Sequence, residues 1–289
     1  MKPTSSLRKL HGINGNIGKL QTCFQHPCDP GKTIHTLLDP PHIFKCIRKN
    51  LQKVGKFLVP KGEKVCHYHY SALLHYEEEQ AGLRAVPKLT RAHISPNAFE
   101  KMSVKLTVEL FSESTAAAME FYSKKEKCKQ LHESAATSNF ARRMNKLFDC
   151  LNSRRPENVR YDEADHIATL KENIAYVDDW NICIQTLPVP RQVSFLTKPT
   201  CAALRITLHS PVALTESLLK SGFCYVLSGK FGQDPLEIDT LTVLLDDIHM
   251  EPDDCAKHYP ALDDRLFTKD CILDYLAGYV VKKFSSMSC

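Results

Sequence analysis

The 289-residue chain is 43% apolar and 25% charged, and a length of this order buries a substantial core in one or two domains. No apolar run reaches the roughly eighteen residues that a bilayer span needs, and MKPTSSLRKLHG lacks an apolar signal region, so the expectation is a nuclear or cytoplasmic protein with no membrane partner and no secretion. The net charge of +5 is mild, and twelve scattered cysteines without a CxxC pair read as free thiols in a reducing compartment.

Two phosphate-loop look-alikes come first in chain order. Gly12, Gly15 and Gly18 precede Lys19, but Leu20 stands where a Ser or Thr would ligate magnesium. HPCDPGKT, His26 to Thr33, has the right ending, yet His26 replaces the first glycine and Pro27 and Pro30 remove amides that phosphates require. It reads as a loop. Thr33 to Leu38 reads as a short buried strand, and Asp39-Pro40-Pro41 as the capped start of a helix continuing through HIFKCIRKNLQ. Between Lys45 and Lys64 seven basic residues face one acid, Glu63. Lys45, Arg48 and Lys49 are therefore candidates for DNA phosphate contact, with a solvated helix face as the alternative. Cys66, His67 and His69 are soft ligands close together, but a zinc site needs more at finger-like spacing.

Further along, Ser95-Pro96-Asn97 is a helix start, and Phe99, Met102, Leu106, Leu110 and Ala117 recur at helical spacing, predicting one long helix to about Tyr122. Thr137 to Leu151 and Asp162 to Trp180 are two further amphipathic helices. After a Ser/Thr/Pro-rich boundary the chain predicts two helices and a short strand, Phe223 to Leu227. Asp234 and Glu237, three residues apart, would share one side of a helical turn and suit Mg²⁺, which takes one or two carboxylates and completes its shell with water and phosphate oxygen. A solvated helix start is the competing reading. Seven acids between Asp246 and Asp264 predict a poorly packed segment.

Several stretches carry a family resemblance. SGKFGQDPLE, Ser228 to Glu237, resembles the GKFxQDPLE segment of P-element-type DNA transposases and their THAP-domain relatives. DPPHIFKCIRKNL, from Asp39, is similar to their DxPHLxKxIRNNL segment, and ILDYLAGYVVKKF, Ile272 to Phe284, to their YIAGYVxxK helix. The longest matches are PKLTRAHISPNAFEKMSVKLTVELFS, Pro87 to Ser112, and FARRMNKLFDCLNSR, Phe140 to Arg154, which resemble that family's GTP-binding insertion domain.

The resemblance implies a mainly α fold: a helical GTP-binding insertion domain at 61–195, with remnants of an α/β RNase H-like core at 1–60 and 196–240, an acidic linker at 241–269 and a C-terminal helix at 270–289. Carried over position by position, Lys88, Val104, Ser112, Phe148, Asp149, Asn152 and Asp234 would meet guanine nucleotide. A carboxylate such as Asp149 accepts from both N1–H and the exocyclic amine of guanine, which adenine cannot offer. Val104 or Phe148 would cover the base, and Lys88 would face phosphate. Ser103 departs from the family's usual Lys. Glu237 would be the last acid of a catalytic triad, holding Mg²⁺ with Asp234; the two earlier acids have no counterpart, and no Asp precedes Asp29. The expectation is GTP binding without strand transfer, a homo-oligomer or an intact transposase being the implied protein partner. The alternative is a helical interaction or DNA-binding module without nucleotide.

Overall fold

The computed structural model describes residues 11–79, 82–153, 163–186, 196–223 and 226–231, all within the unit Met1–Phe231. Asp234, Glu237, the acidic segment and the C-terminal YVVKK helix predicted from sequence lie outside the described residues.

The described chain is mostly helical, as its periodicity predicts, with two small antiparallel hairpins. The first pairs β1 (Cys23–His26) with β2 (Asp29–His35). HPCDPGKT is thus the hairpin tip and its returning strand, and the expected strand begins four residues earlier than Thr33. Lys32 is tied to Asp29 at 2.9 Å, an exposed ion pair at the tip. Gly15 has a packing reason for its lack of a side chain: a Cβ there would lie 2.0 Å from the Ala202 carbonyl oxygen.

Helix α1 (Pro40–Val54) starts where the sequence predicts. The Asp39 carboxylate accepts from the His42 amide at 2.9 Å, and prolines fill the first positions, where an amide would be orphaned anyway. It stops at Gly55, whose φ of 76° is left-handed and whose N–H donates to the Leu51 carbonyl. The chain then forms β3 (Lys56–Leu58) and β4 (Lys64–Cys66), which place Phe57 and Val65 in the core. Helix α2 (His67–Glu79) follows directly.

The single long helix expected from Ser95 to Tyr122 does not form. After the short helix α3 (Arg91–Ile94), the stretch is divided into a 3-10 turn Glu100–Met102, α4 (Val104–Leu110) and α5 (Glu113–Ser123). The breaks are made by hydroxyls. Ser103 Oγ accepts from the Leu106 amide at 3.3 Å, and Ser112 Oγ from the Thr115 amide at 3.2 Å, each restarting the helix as an N-cap. Apolar periodicity survives such breaks because both segments still present one face to the same core.

Helices α6 (Ala135–Leu151), α7 (Glu163–Thr186) and α8 (Lys198–Lys220) complete the body. The two helices expected after residue 196 are one, running through Pro211. Leu204, Leu208 and Val212 hold it in the core on both sides of the proline. The Thr207 and Ser210 hydroxyls donate to the Leu38 and Thr36 carbonyls, at 3.2 and 2.6 Å, and so tie α8 to the exit of β2. No strand forms at Phe223 or at 226–227, and residues 224–225 lie outside those described. The core is one cluster in which Phe57, Phe111, Phe140 and Trp180 meet edge-on, and the Trp180 indole N–H donates to the Leu58 carbonyl.

Candidate nucleotide-binding site

The residues implied by resemblance occupy three consecutive supports, each held by a buried polar clamp. Lys88 is exposed in the turn before α3. That turn is anchored from below by Glu77, fully buried at the end of α2, whose two carboxylate oxygens accept from the Ala85 and Val86 amides at 3.0 and 2.9 Å. A buried carboxylate is tolerable only when so satisfied. Val104, half-buried, opens α4 and packs against the core. Ser112 caps α5, and its hydroxyl also meets those of Ser114 and Thr115.

Helix α1 holds the segment between Lys88 and Val104. Arg48 is 1% exposed, and its guanidinium donates to the Glu100 and Lys101 carbonyls at 3.1 and 3.0 Å. Gln52 donates to the His93 carbonyl at 3.1 Å. His93, also buried, receives the Thr90 amide on Nδ1 at 3.1 Å, which leaves its proton on Nε2, 3.2 Å from a Glu109 oxygen. Burial lowers the imidazole pKa. This corrects the reading of Arg48 as a DNA contact: its charge lies inside, on backbone carbonyls. Lys45 is half-buried on the same helix, and Lys49 is exposed.

The third support is the C-terminal end of α6. Phe148 is a core residue, edge-on to Phe44 of α1 with centroids 5.1 Å apart, which leaves Val104 as the half-buried apolar group able to cover a base. Asp149 faces solvent, with one oxygen held by the Asn145 amide at 2.9 Å. Desolvation around its base raises its carboxyl above the usual range, opposed by that hydrogen bond and by nearby His166. An oriented, solvent-reachable carboxylate is an acceptor of the kind that a paired N–H and amine edge requires. Asn152 ends the helix.

One contact was not foreseen from sequence. The 3-10 turn Ser228–Phe231 seats on this helix end: the Ser228 hydroxyl donates to the Cys150 carbonyl at 2.6 Å and accepts from the Ser153 amide at 3.1 Å. The Gly229 amide donates to the Ser153 carbonyl at 2.9 Å. LFDCLNS and the start of SGKFGQDPLE, 75 or more residues apart, are thus adjacent.

Residues 41–164 match the family model described as TNP-like, GTP-binding insertion domain. The chain is 29% identical over 142 residues to the Transposable element P transposase of Drosophila melanogaster, a stretch covering 48% of this chain and 18% of that protein. It is 27% identical over 150 residues to the human DNA transposase THAP9, covering 51% of this chain and 16% of that protein. The chain is a relative of the P-element-type transposases. The Drosophila P element transposase strand transfer complex shares its fold, with a TM-score of 0.66 over 82% of this chain and 51% of that one, at 21% identity. This P-element-type relative therefore spans less than a fifth of the length of the two curated transposases. The matched domain begins inside α1, within the 1–60 segment expected to be core remnant.

Among the described residues no group of three or more His, Cys, Asp or Glu is placed to hold a metal ion, and none of their helices is long and apolar enough to cross a membrane. Their cysteines are free thiols. In the Cys66–His69 cluster the Cys66 amide donates to Thr137 Oγ1 at 3.0 Å, and that hydroxyl bonds His69 Nδ1 at 2.6 Å. These residues join α6 to β4 and α2.

Proposed function

We propose that this transposase relative binds guanine nucleotide between the Lys88 turn, the start of α4 and the C-terminal end of α6, and does not turn it over efficiently. The observation that carries the reading is the seating of Ser228–Gly229 on the helix end that bears Phe148, Asp149 and Asn152. That contact joins the SGKF turn to the helix end that carries the candidate base reader, which supports the reading. Asp149 would accept from guanine N1–H and N2, Val104 would cover the ring, Ser112 and Asn152 would meet ribose or base edges, and exposed Lys88 would face phosphate.

Asp234 and Glu237 are the residues proposed to hold Mg²⁺, which when bound would neutralise phosphate oxygens. With Glu237 as the only triad acid that the resemblance locates, strand transfer by this chain alone is not expected. The proposed domain division keeps 61–195 as the insertion domain and admits α1 as its buttress.

The test is a calorimetric titration with GTP and with ATP, each with Mg²⁺, on the wild type and on Asp149→Ala. GTP should bind, ATP should not, and the variant should lose the preference. No heat from a protein that melts cooperatively would refute nucleotide binding and favour the interaction module.

A second reading rests on a separate observation. Lys49 and Lys53 of α1 and Lys56, Lys61 and Lys64 of the β3–β4 hairpin are all exposed along one stretch of chain. We propose this basic run as a DNA phosphate contact of this chain, with or without bound nucleotide. Replacing Lys49, Lys53 and Lys56 by Gln should reduce the slope of log affinity against log salt by about three; an unchanged slope would show a merely solvated face.

A further inference from the structure

We infer that His166, near the start of α7, is a further specificity-determining residue of the candidate site, its ring N–H meeting O6 of the guanine whose N–H groups Asp149 accepts. The inference rests on the nucleotide-binding reading above and deepens it. Helices α6 and α7 pack side by side in opposite directions. Phe140 meets Trp180 with ring centroids 6.0 Å apart, whereas Arg143, further along α6, meets earlier residues of α7. Its guanidinium lies 4.2 Å from the Tyr176 ring centre and donates to the Asn173 side chain at 3.4 Å. Seven residues are close to two helical turns, about 10.5 Å, and return to nearly the same face. Over that interval Arg143 leads forward to Cys150, next to Asp149, and Asn173 leads back to His166. The register therefore brings His166 across from the turn of α6 that carries Asp149.

The two side chains act on each other across that gap. Burial raises the Asp149 carboxyl, and the Asn145 hydrogen bond and His166 both oppose the rise. Asp149 is exposed and His166 half-buried, so both are within reach of a solute. The edge of guanine presents its amine, N1–H and O6 in a row, two donors and then an acceptor. A carboxylate serves the two donors but offers nothing to O6. A donor is required beside it, and an imidazole carries at least one N–H in either charge state. Adenine puts an amine at the position of O6, which meets that N–H donor to donor. Asp149 reads two of the three groups, and His166 completes the edge.

The experiment titrates the full chain with GTP and with its 6-thio analogue, which keeps N1–H and the amine but replaces O6 by sulfur, a weak acceptor. Wild-type protein should prefer GTP about tenfold, the scale of one well-placed hydrogen bond. His166→Ala should lose GTP affinity by that factor and bind the two nucleotides alike, whereas His166→Gln, which keeps an N–H donor, should retain part of the preference. Such a cycle separates a direct contact from a packing role. Equal binding of both nucleotides by the wild type would overturn the inference, and so would a His166→Ala variant that weakens both alike and keeps their ratio. If His166→Ala does not melt cooperatively, His166→Leu, larger and equally without a donor, is judged by the same ratio. Folded wild type that binds neither nucleotide would instead sink the nucleotide reading, and this inference with it. A preference for GTP over ATP without discrimination at O6 would sink this inference alone.

Discussion

In its first three turns α6 buries Thr137, Phe140, Ala141 and Met144, while at its far end buried Phe148 and Leu151 alternate with solvent-facing Asp149 and half-buried Asn152. The first region is fixed by volume: Phe140 meets Phe57, Phe111 and Trp180 edge-on. The second is fixed by a few directional bonds from Ser228 and Gly229. Packing sets where the helix axis lies, and hydrogen bonds tie its last turn to a segment distant in sequence. The aromatic region should therefore govern stability, and the polar end should govern ligand choice.

The largest effect expected on that division is Phe140→Ala. Removing a ring buried among three aromatic partners should cost about 3–5 kcal/mol in chemical denaturation, from lost transfer energy and an unfilled cavity. A loss below ~1 kcal/mol would mean that the aromatic region does not hold the fold.

Acid should act on the same region through His69. Its imidazole is buried, and desolvation lowers its pKa to about 4 from 6.5 in the unfolded chain. Below pH 6.5 the unfolded chain therefore takes up a proton that the folded one refuses. Stability should fall as pH drops from about 6.5 toward 4 and then level off for this group, by up to about 3 kcal/mol. Denaturation midpoints across that range check it, and His69→Gln should flatten the dependence.

At the polar end Asp149→Asn should do the reverse of Phe140→Ala, sparing stability and lowering GTP affinity at least about tenfold, since an amide presents one acceptor where guanine needs two. Equal GTP binding by the variant would remove Asp149 from the site. The wild type should also lose GTP affinity as the medium is acidified through the raised Asp149 carboxyl.

The smallest effect is expected at Arg142, which pairs with Glu120 and, at 2.7 Å, with Glu113 while partly exposed. Solvent screening limits such pairs, so Arg142→Ala should cost under about 1 kcal/mol. A cost rivalling that of Phe140→Ala would show that the link from α6 to α5 carries more of the fold than the aromatic core.

Much of this architecture is legible from residues alone. Asp39-Pro40-Pro41 announces α1 because the cap and the prolines act within four residues, and the apolar spacing of Thr137 to Leu151 marks α6 almost to its ends. The Ser103 and Ser112 breaks were hidden, although each hydroxyl is in plain view, because a serine at helical spacing is also compatible with an unbroken helix. Pro211 works in the other direction. A proline within a helical pattern commonly ends or kinks it, but Leu204, Leu208 and Val212 are buried on both sides of this one, and it stays within the helix.

The helical class, the main helix positions and the family resemblance follow from the residues alone, since each depends on local spacing or on a run of matched residues. That Arg48 points inward onto the Glu100 and Lys101 carbonyls emerges only from the packed fold, because charge type does not reveal which side of a helix is covered. The packed fold alone joined Ser228 to the end of α6. A cap supplied from 75 residues away leaves no periodic or nearby signal, and the bond exists only once the intervening helices have packed.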